Sequence, residues 1–271
     1  MTKPQILLTN DDGILSPGLW AAAESLSELG FVHVVAPREQ ATGAGRSMPS
    51  TSDGLIQPQE VTIRGKTWTV YAVGGSPAQA VQHGFLEVLP SRPDLVVSGI
   101  NYGENLGTGT TISGRVGAAL EAASFDVPAM AVSLVLDAVH HNSYSTEVDF
   151  STAAYFCGYF AHRMLTQTLP PDVDVLKVDV PGNATRETQW VMTRLSKKRY
   201  FEPTPPQRKT WDEPGRPGYR RNVDLSAFDP ESDVYAVLVR HLVSVTPVSL
   251  DMTSRVALAW FREVLTGSSS V

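Results

Sequence analysis

Two adjacent carboxylates, Asp11 and Asp12, stand between an amide, Asn10, and a glycine, Gly13, directly after the apolar run Ile6-Leu7-Leu8. Neighbouring carboxylates repel each other and lose solvation when buried, so the pair favours protonation or a cation. A hard divalent ion such as Mg²⁺ or Mn²⁺ suits carboxylate, amide and hydroxyl oxygens. The same four residues also suit an Asx turn that joins a strand to a helix and holds no ligand. Two further stretches bear on the choice. Residues 37–50 are polar and glycine-rich, with Thr42-Gly43 offering a hydroxyl and open amides and Arg46 a guanidinium. Residues 100–115 carry Asn101 and end in Ser113-Gly114-Arg115. Ser113 suits the N-cap of the helix that follows, and a helix start preceded by small residues favours an anion through its free amides and dipole.

The elements that would hold these residues follow from local pattern. Ile6 to Leu8 reads as a buried first strand closed by turn residues. Ser16 and Pro17 start a helix that Gly30 stops, and Phe31 to Ala36 reads as a second strand. Strand, helix and strand at this spacing form a βαβ unit with a parallel pair and a right-handed crossover. Residues 54–73 read as a hairpin turning at Gly65-Lys66, followed by a helix capped at Ser76. Asp94 to Gly99, Pro128 to Leu134 and Val175 to Val180 are further strands of the parallel type. Helices are expected after Ser113 and from about Phe150 to Leu165. The expected fold is therefore α/β: a doubly wound, Rossmann-like, mostly parallel sheet over residues 1–184. Two carboxylates from Asp11 and Asp12, a hydroxyl from Thr42 and an amide from Asn101 then converge at one sheet edge, with positions left for water and substrate. Beside them the Ser113-Gly114 helix start is a second anion binder, and the pair of features points to phosphate-ester hydrolysis.

Beyond residue 185 the character changes. Gln189 to Leu195 reads as a strand, while residues 200–221 are rich in proline, arginine and aromatics without helical period. A short helix from Val234, a strand at Val243 to Pro247 and a terminal helix at Arg255 to Leu265 follow. An extended arm of this kind, at 185–271, suits either a long irregular loop or exchange with a partner subunit.

Composition narrows the class. With 271 residues, 42% hydrophobic, the chain can bury a large core. Its net charge of −6 argues against general attraction to nucleic acid or anionic membrane. The single cysteine, Cys157, excludes an intramolecular disulfide framework and suits a buried helix position. No apolar stretch is long enough to span a bilayer, and the first strand follows within a few residues of Met1, so the expected location is the cytoplasm.

Thr9-Asn10-Asp11-Asp12-Gly13, Pro17-Gly18, Val35-Ala36-Pro37, Val97-Ser98-Gly99-Ile100-Asn101, Asn105-Leu106-Gly107 and Ser113-Gly114 resemble, in order and spacing, the survival protein E (SurE) nucleotidase family. Val245-Thr246-Pro247 with Asp251 resembles its distal segment. The resemblance implies a Rossmann-like core with a C-terminal extension that is β-rich and exchanges between subunits of a homodimer or homotetramer. It implies hydrolysis of nucleoside 5′- and 3′-monophosphates, in some members also of polyphosphate, with Mn²⁺, Mg²⁺ or Co²⁺. By position, Asp11, Asp12, Thr42 and Asn101 are the metal ligands, and Asn10, Gly43, Ser113 and Gly114 lie near the phosphate. Three positions depart from the family pattern. Thr42 replaces a serine and keeps the hydroxyl, Gln79 replaces an aspartate and loses a carboxylate near the site, and Arg115 replaces a threonine where it would either strengthen phosphate binding or alter which leaving group fits.

The expected activity is thus a metal-dependent phosphomonoesterase with Asp11 and Asp12 as its catalytic carboxylates. Attack by water and attack by Asp12 both remain open from sequence. The rival reading is a nucleotide-binding sensor that uses the same crevice without turnover. A dehydrogenase is disfavoured because no Gly-x-Gly-x-x-Gly follows the first strand, and a P-loop kinase because Gly-Lys-Ser/Thr is absent.

Overall fold

The computed structural model describes residues 3–136, 145, 147–222 and 224–267. The serine-rich end of the tail, at 268–270, lies outside the described residues. At the centre is a nine-stranded sheet formed by β1 (Gln5–Thr9), β2 (Phe31–Pro37), β3 (Ile56–Ile63), β4 (Lys66–Val73), β5 (Leu95–Tyr102), β6 (Ala129–Leu134), β7 (Val175–Val180), β8 (Trp190–Met192) and β11 (Val243–Val248). The order across the sheet is β3-β4-β2-β1-β5-β6-β7-β11-β8. From β4 to β7 every neighbour is parallel, while β3 and β11 run antiparallel to β4 and β7. This is the expected mostly parallel α/β architecture.

Helices cover both faces, as parallel strands require. One face of β1 packs through Ile6 and Leu8 against α1 (Pro17–Ser27) and α4 (Ser151–Thr166), with Leu19, Leu26 and Phe156 buried in the same cluster. The other face packs through Leu7, Val35 and Val96 against α2 (Pro77–His83) and α3 (Gly114–Ala123). Each such side chain, fully buried, contributes roughly 1.5–3 kcal/mol. Cys157 is buried on α4, where desolvation pushes its thiol up to about 12, which keeps it unreactive. No described helix is long and apolar enough to cross a membrane.

The strand order reverses between β1 and β5, because successive connections from β1 lead outward in opposite directions. Open sheets bind ligands in the crevice at such a switch point. A register shift between Ser98 and Asn101 marks an irregularity at the end of β5 where it pairs with β6. Irregularities of this type re-aim side chains next to active sites.

The C-terminal segment from residue 185 contributes strands to the central sheet. β11 adds to the edge at β7 and carries β8 beyond it, so the central sheet crosses the expected boundary at 184. The proline- and arginine-rich stretch at 200–221 holds an antiparallel hairpin of β9 (Phe201–Thr204) and β10 (Gly218–Arg221). Tyr200, Phe228, Val234 and Val237 bury their side chains in a small core of their own with Leu106. Between them α5 (Asp233–Leu238) starts under the cap of Ser232, whose hydroxyl accepts from Tyr235 N at 3.2 Å. The terminal α6 (Leu258–Thr266) stands exposed along its whole length, including Leu258, Trp260 and Phe261.

Candidate active site

β1 ends in a turn that its own asparagine closes. Asn10 Oδ1 accepts from Gly13 N at 3.1 Å, and Asn10 Nδ2 donates to Gly13 O at 3.0 Å. Asn10 thereby shapes the turn that carries the two aspartates, and its second N–H is not used in that clamp. The clamp drives the next two side chains inward: Asp11 and Asp12 are each 2% exposed.

Their surroundings differ. Asp12 Oδ2 accepts from Tyr102 N at 3.2 Å and Oδ1 from Gln40 Nε2 at 3.3 Å. Asp11 Oδ1 is buried with no hydrogen-bond partner among the described residues. Burial pushes the Asp11 carboxyl up to about 6, against the pull of Arg115 and of the amides that begin α3. Asp12 is raised well above the ordinary carboxylate range, first by burial and then by the charge of Asp11. A desolvated pair with an orphaned oxygen is a site built for a positive charge.

Asn101, at the end of β5, supplies the next donor. Its Nδ2 donates to Tyr102 O at 3.2 Å and Gly103 O at 2.8 Å. Two carbonyl acceptors fix which way the amide faces, so Oδ1 is the atom left to bind a cation. Among the described residues no group of three or more His, Cys, Asp or Glu side chains could hold a metal. Two carboxylate groups and one amide oxygen are a donor set that would suit a hard cation better than a zinc-type site.

The loop after β2 closes the other side. Ala41 N donates to Asp11 O at 2.7 Å, and Gly45 N to Ile112 O at 3.0 Å. Thr42 and Gly43 sit next to that anchor on the exposed crest of the loop, Gly43 with φ of 77°. α3 begins against both loops. A Cβ on Gly114 would lie 2.9 Å from Ala41 O and from Asp11 Cβ, so only glycine lets the helix start approach the acidic pair this closely. Ser113 caps α3, its hydroxyl accepting from Val116 N at 3.2 Å while its proton stays available to a ligand. A cavity of about 380 Å³ opens beside Gln40 and Ala41, lined also by Arg38, Asp53 and Ser76.

Two expectations are corrected. Arg115 is not at the phosphate surface. It is fully buried, and its Nη2 lies 3.8 Å from Asp179 Oδ1. The second residue of a helix cannot follow the first to the open end when its own side is turned into the protein. Arg46, read as a possible anion ligand, is spent on Glu121, with Nε to Oε2 at 2.6 Å. Gln79, which stands where the family pattern has an aspartate, is a capping-box residue of α2. Its Oε1 accepts from Ser76 N at 2.9 Å and Ser52 Oγ at 2.7 Å, and its Nε2 donates to Pro49 O at 3.1 Å.

Gln40 and the Tyr102 amide, which orient Asp12, were not singled out from sequence. Nor was a charge network beneath the site, formed by Arg115, Lys177, Asp179 and Asp233, all fully buried. One signal for it was present: two charged residues at alternate positions of the otherwise apolar Val175-Leu-Lys-Val-Asp-Val180.

A family model described as Survival protein SurE matches residues 6–202. The 5′-nucleotidase SurE of Thermococcus gammatolerans is 43% identical over 98% of this chain and 97% of its own length. That of Methanothrix thermoacetophila is 42% identical over 96% and 98%. The crystal structure of the SurE protein from Aquifex aeolicus superposes with a TM-score of 0.72 at 30% identity, covering 98% of this chain and all of that one.

Proposed function

The chain belongs to the SurE family, and from that membership and the site's geometry we propose that this nucleotidase hydrolyses nucleoside 5′-monophosphates with a divalent cation. One observation carries the metal: the buried Asp11 carboxylate keeps an unpartnered oxygen beside a second buried carboxylate. Asp11, Asp12 and Asn101 would hold the ion, with Thr42 on the exposed loop beside them as a further donor. When bound, the cation supplies Lewis-acid polarisation of a phosphoryl oxygen and lowers the pKa of water.

The chain's own groups do the rest. Gln40 and the Tyr102 amide keep Asp12 turned toward Asp11. The first amides of α3 and the Ser113 hydroxyl receive the phosphate, where the helix dipole favours its charge. Hydrolysis forms a bond from water oxygen to phosphorus and breaks the ester bond, so the 5′-oxygen leaves with a proton as the nucleoside hydroxyl. The cavity beside Gln40 supports a nucleotide over a smaller ester, because it has room for a sugar and base next to the phosphate position. Activity on 3′-monophosphates and on polyphosphate belongs to the same proposal as further substrates of one phosphate site.

Phosphate release from a panel of 5′- and 3′-monophosphates and polyphosphate, with Mg²⁺, Mn²⁺ or Co²⁺ returned singly to chelated protein, tests this. We expect no release in chelator and recovery with at least one ion. Full activity in excess chelator would refute the metal.

The exposed α6 supports the second half of the reading, assembly through the C-terminal arm. A nine-residue helix that shows Leu258, Trp260 and Phe261 to solvent leaves an apolar face without cover on its own chain. A second copy exchanging the same helix would cover it and give a homodimer or homotetramer. Sedimentation should find an oligomer that Trp260→Glu with Leu258→Glu shifts toward monomer. An unchanged oligomer would remove α6 from the interface.

A further inference from the structure

We propose that Asp233 is a positioning residue for the catalytic loop between Asn101 and Ser113, which it holds in place from the C-terminal segment. The proposal rests on the reading of the site given above. Three fastenings tie this loop to residues beyond 185. Leu106, fully buried, plugs into the small core of Tyr200, Phe228, Val234 and Val237. Glu104 pairs with Arg221 of β10 at 3.0 Å. The third is Asp233 itself.

Asp233 Oδ2 accepts from Gly107 N at 2.8 Å and from Lys177 Nζ at 3.2 Å. Its Oδ1 accepts from Ser196 N at 3.0 Å and Val234 N at 2.9 Å. Every lone-pair direction of this buried carboxylate is thus committed, and one of them reaches the middle of the loop. Gly107 is where the approach is closest: with φ of 54°, a Cβ there would lie 3.0 Å from Ser196 O and 3.2 Å from Lys198 O. The amide that Asp233 takes is therefore pressed against the same segment that Asp233 organises.

The other end of the connection is α3. Lys177 pairs with Asp179, whose Oδ1 accepts from Ser133 Oγ at 2.6 Å and faces Arg115 at 3.8 Å. Arg115 is the second residue of α3, one position after the Gly114 that touches Asp11. Two cations and two anions balance in this network, which is how four charges can be buried at once. Asp233 thereby grips the loop at Gly107 and, through Lys177 and Asp179, adjoins the helix start to which the loop leads. Asn101 stands before that stretch and Ser113 after it, so a shift of the loop would move a metal donor and a phosphate donor together.

Asp233→Asn puts an amide donor or a single acceptor where two acceptors are needed. Lys177→Met combined with Asp233→Asn does the same while keeping the buried charge balanced. Amide hydrogen exchange on ligand-free wild-type protein should show residues 103–112 protected to the same degree as 194–198 and 232–234. In the folded variants, protection over 103–112 should fall at least tenfold. Calorimetric Mn²⁺ affinity and the inhibition constant for inorganic phosphate should each weaken about tenfold. A residue that merely supported the fold would lower the melting temperature and leave both constants of the folded fraction unchanged. Arg220→Ala, which breaks an exposed pair with Glu202 in the same segment, should change neither constant.

A loop that exchanges freely in wild-type protein would overturn the proposal. So would a folded double variant with wild-type protection and wild-type constants. The wild-type exchange result decides if neither variant folds. If instead wild-type protein binds no Mn²⁺ and releases no phosphate, the functional reading fails while exchange still judges the clamp.

Discussion

Two clusters of buried charge lie close together in this molecule, and they are built on opposite terms. Arg115, Lys177, Asp179 and Asp233 balance in sign, and the two carboxylates accept hydrogen bonds from Ser133, Lys177, Gly107 and Ser196. Asp11 and Asp12 share one sign, and Asp11 Oδ1 accepts nothing among the described residues. In the first arrangement the charges balance and both carboxylates are hydrogen-bonded within the protein, although the guanidinium nitrogens of Arg115 have no hydrogen-bond partner among the described residues. The second keeps an excess of negative charge that the nearby Arg115 only partly offsets. Burial alone therefore does not mark a site; buried charge of one sign does.

Neutralising one member of each cluster gives the sharpest break of this contrast. Asp11→Asn should lower phosphate release by roughly a thousandfold, about 4 kcal/mol of transition-state stabilisation, because a cation loses its anionic ligand. The same change relieves a like-charge repulsion, so the melting temperature without metal should hold or rise. A large loss of stability would mean that Asp11 serves the fold instead.

Lys177→Met should behave in the opposite way. It leaves Asp179 and Asp233 with one cation fewer in a site that water does not reach. We expect a loss of about 3–5 kcal/mol in denaturant unfolding, the usual cost of removing one partner of a buried pair. A neutral result would show that the network is as dispensable as a surface ion pair.

A smaller effect, readable by titration, separates the clusters without mutation. The folded Asp11 carboxyl lies at about 6, above its ordinary 3.8. Without metal the folded state then binds the proton more tightly than the unfolded state. The stabilisation is fully present below about 3.8 and is lost as pH rises through about 6. Mn²⁺ competes with that proton, so its affinity should climb as pH rises through the same window and then level off. Melting curves at stepped pH with and without Mn²⁺ check both slopes. A metal-free protein whose stability instead rises across this window would contradict the burial of a repelling pair.

Much of the site was legible in the chain. Asn10-Asp11-Asp12-Gly13, the Ser113 cap and Asn101 at a strand end are local signals, each fixed by residues a few positions away, and parallel topology brings the loops to one edge. Thr42 and Gly43 follow from the same reasoning, since their loop leaves the strand beside β1. The misreadings of Arg46 and Arg115 share a cause: nothing local says whether such a side chain faces a ligand or a carboxylate brought in from elsewhere, here Glu121 and Asp179.

Sequence by itself determined where strands end, where helices start and which of those ends carry oxygen donors. These depend on backbone preference and hydrophobic period over short spans. Tertiary structure alone decided which charges are spent and which remain. The pairing of Lys177 with Asp233 spans 56 positions, and it exists only because β11 turns back along β7 and brings α5 over the sheet. Charge compensation is a property of neighbours in space, and the difference between a finished cluster and a reactive one lies there.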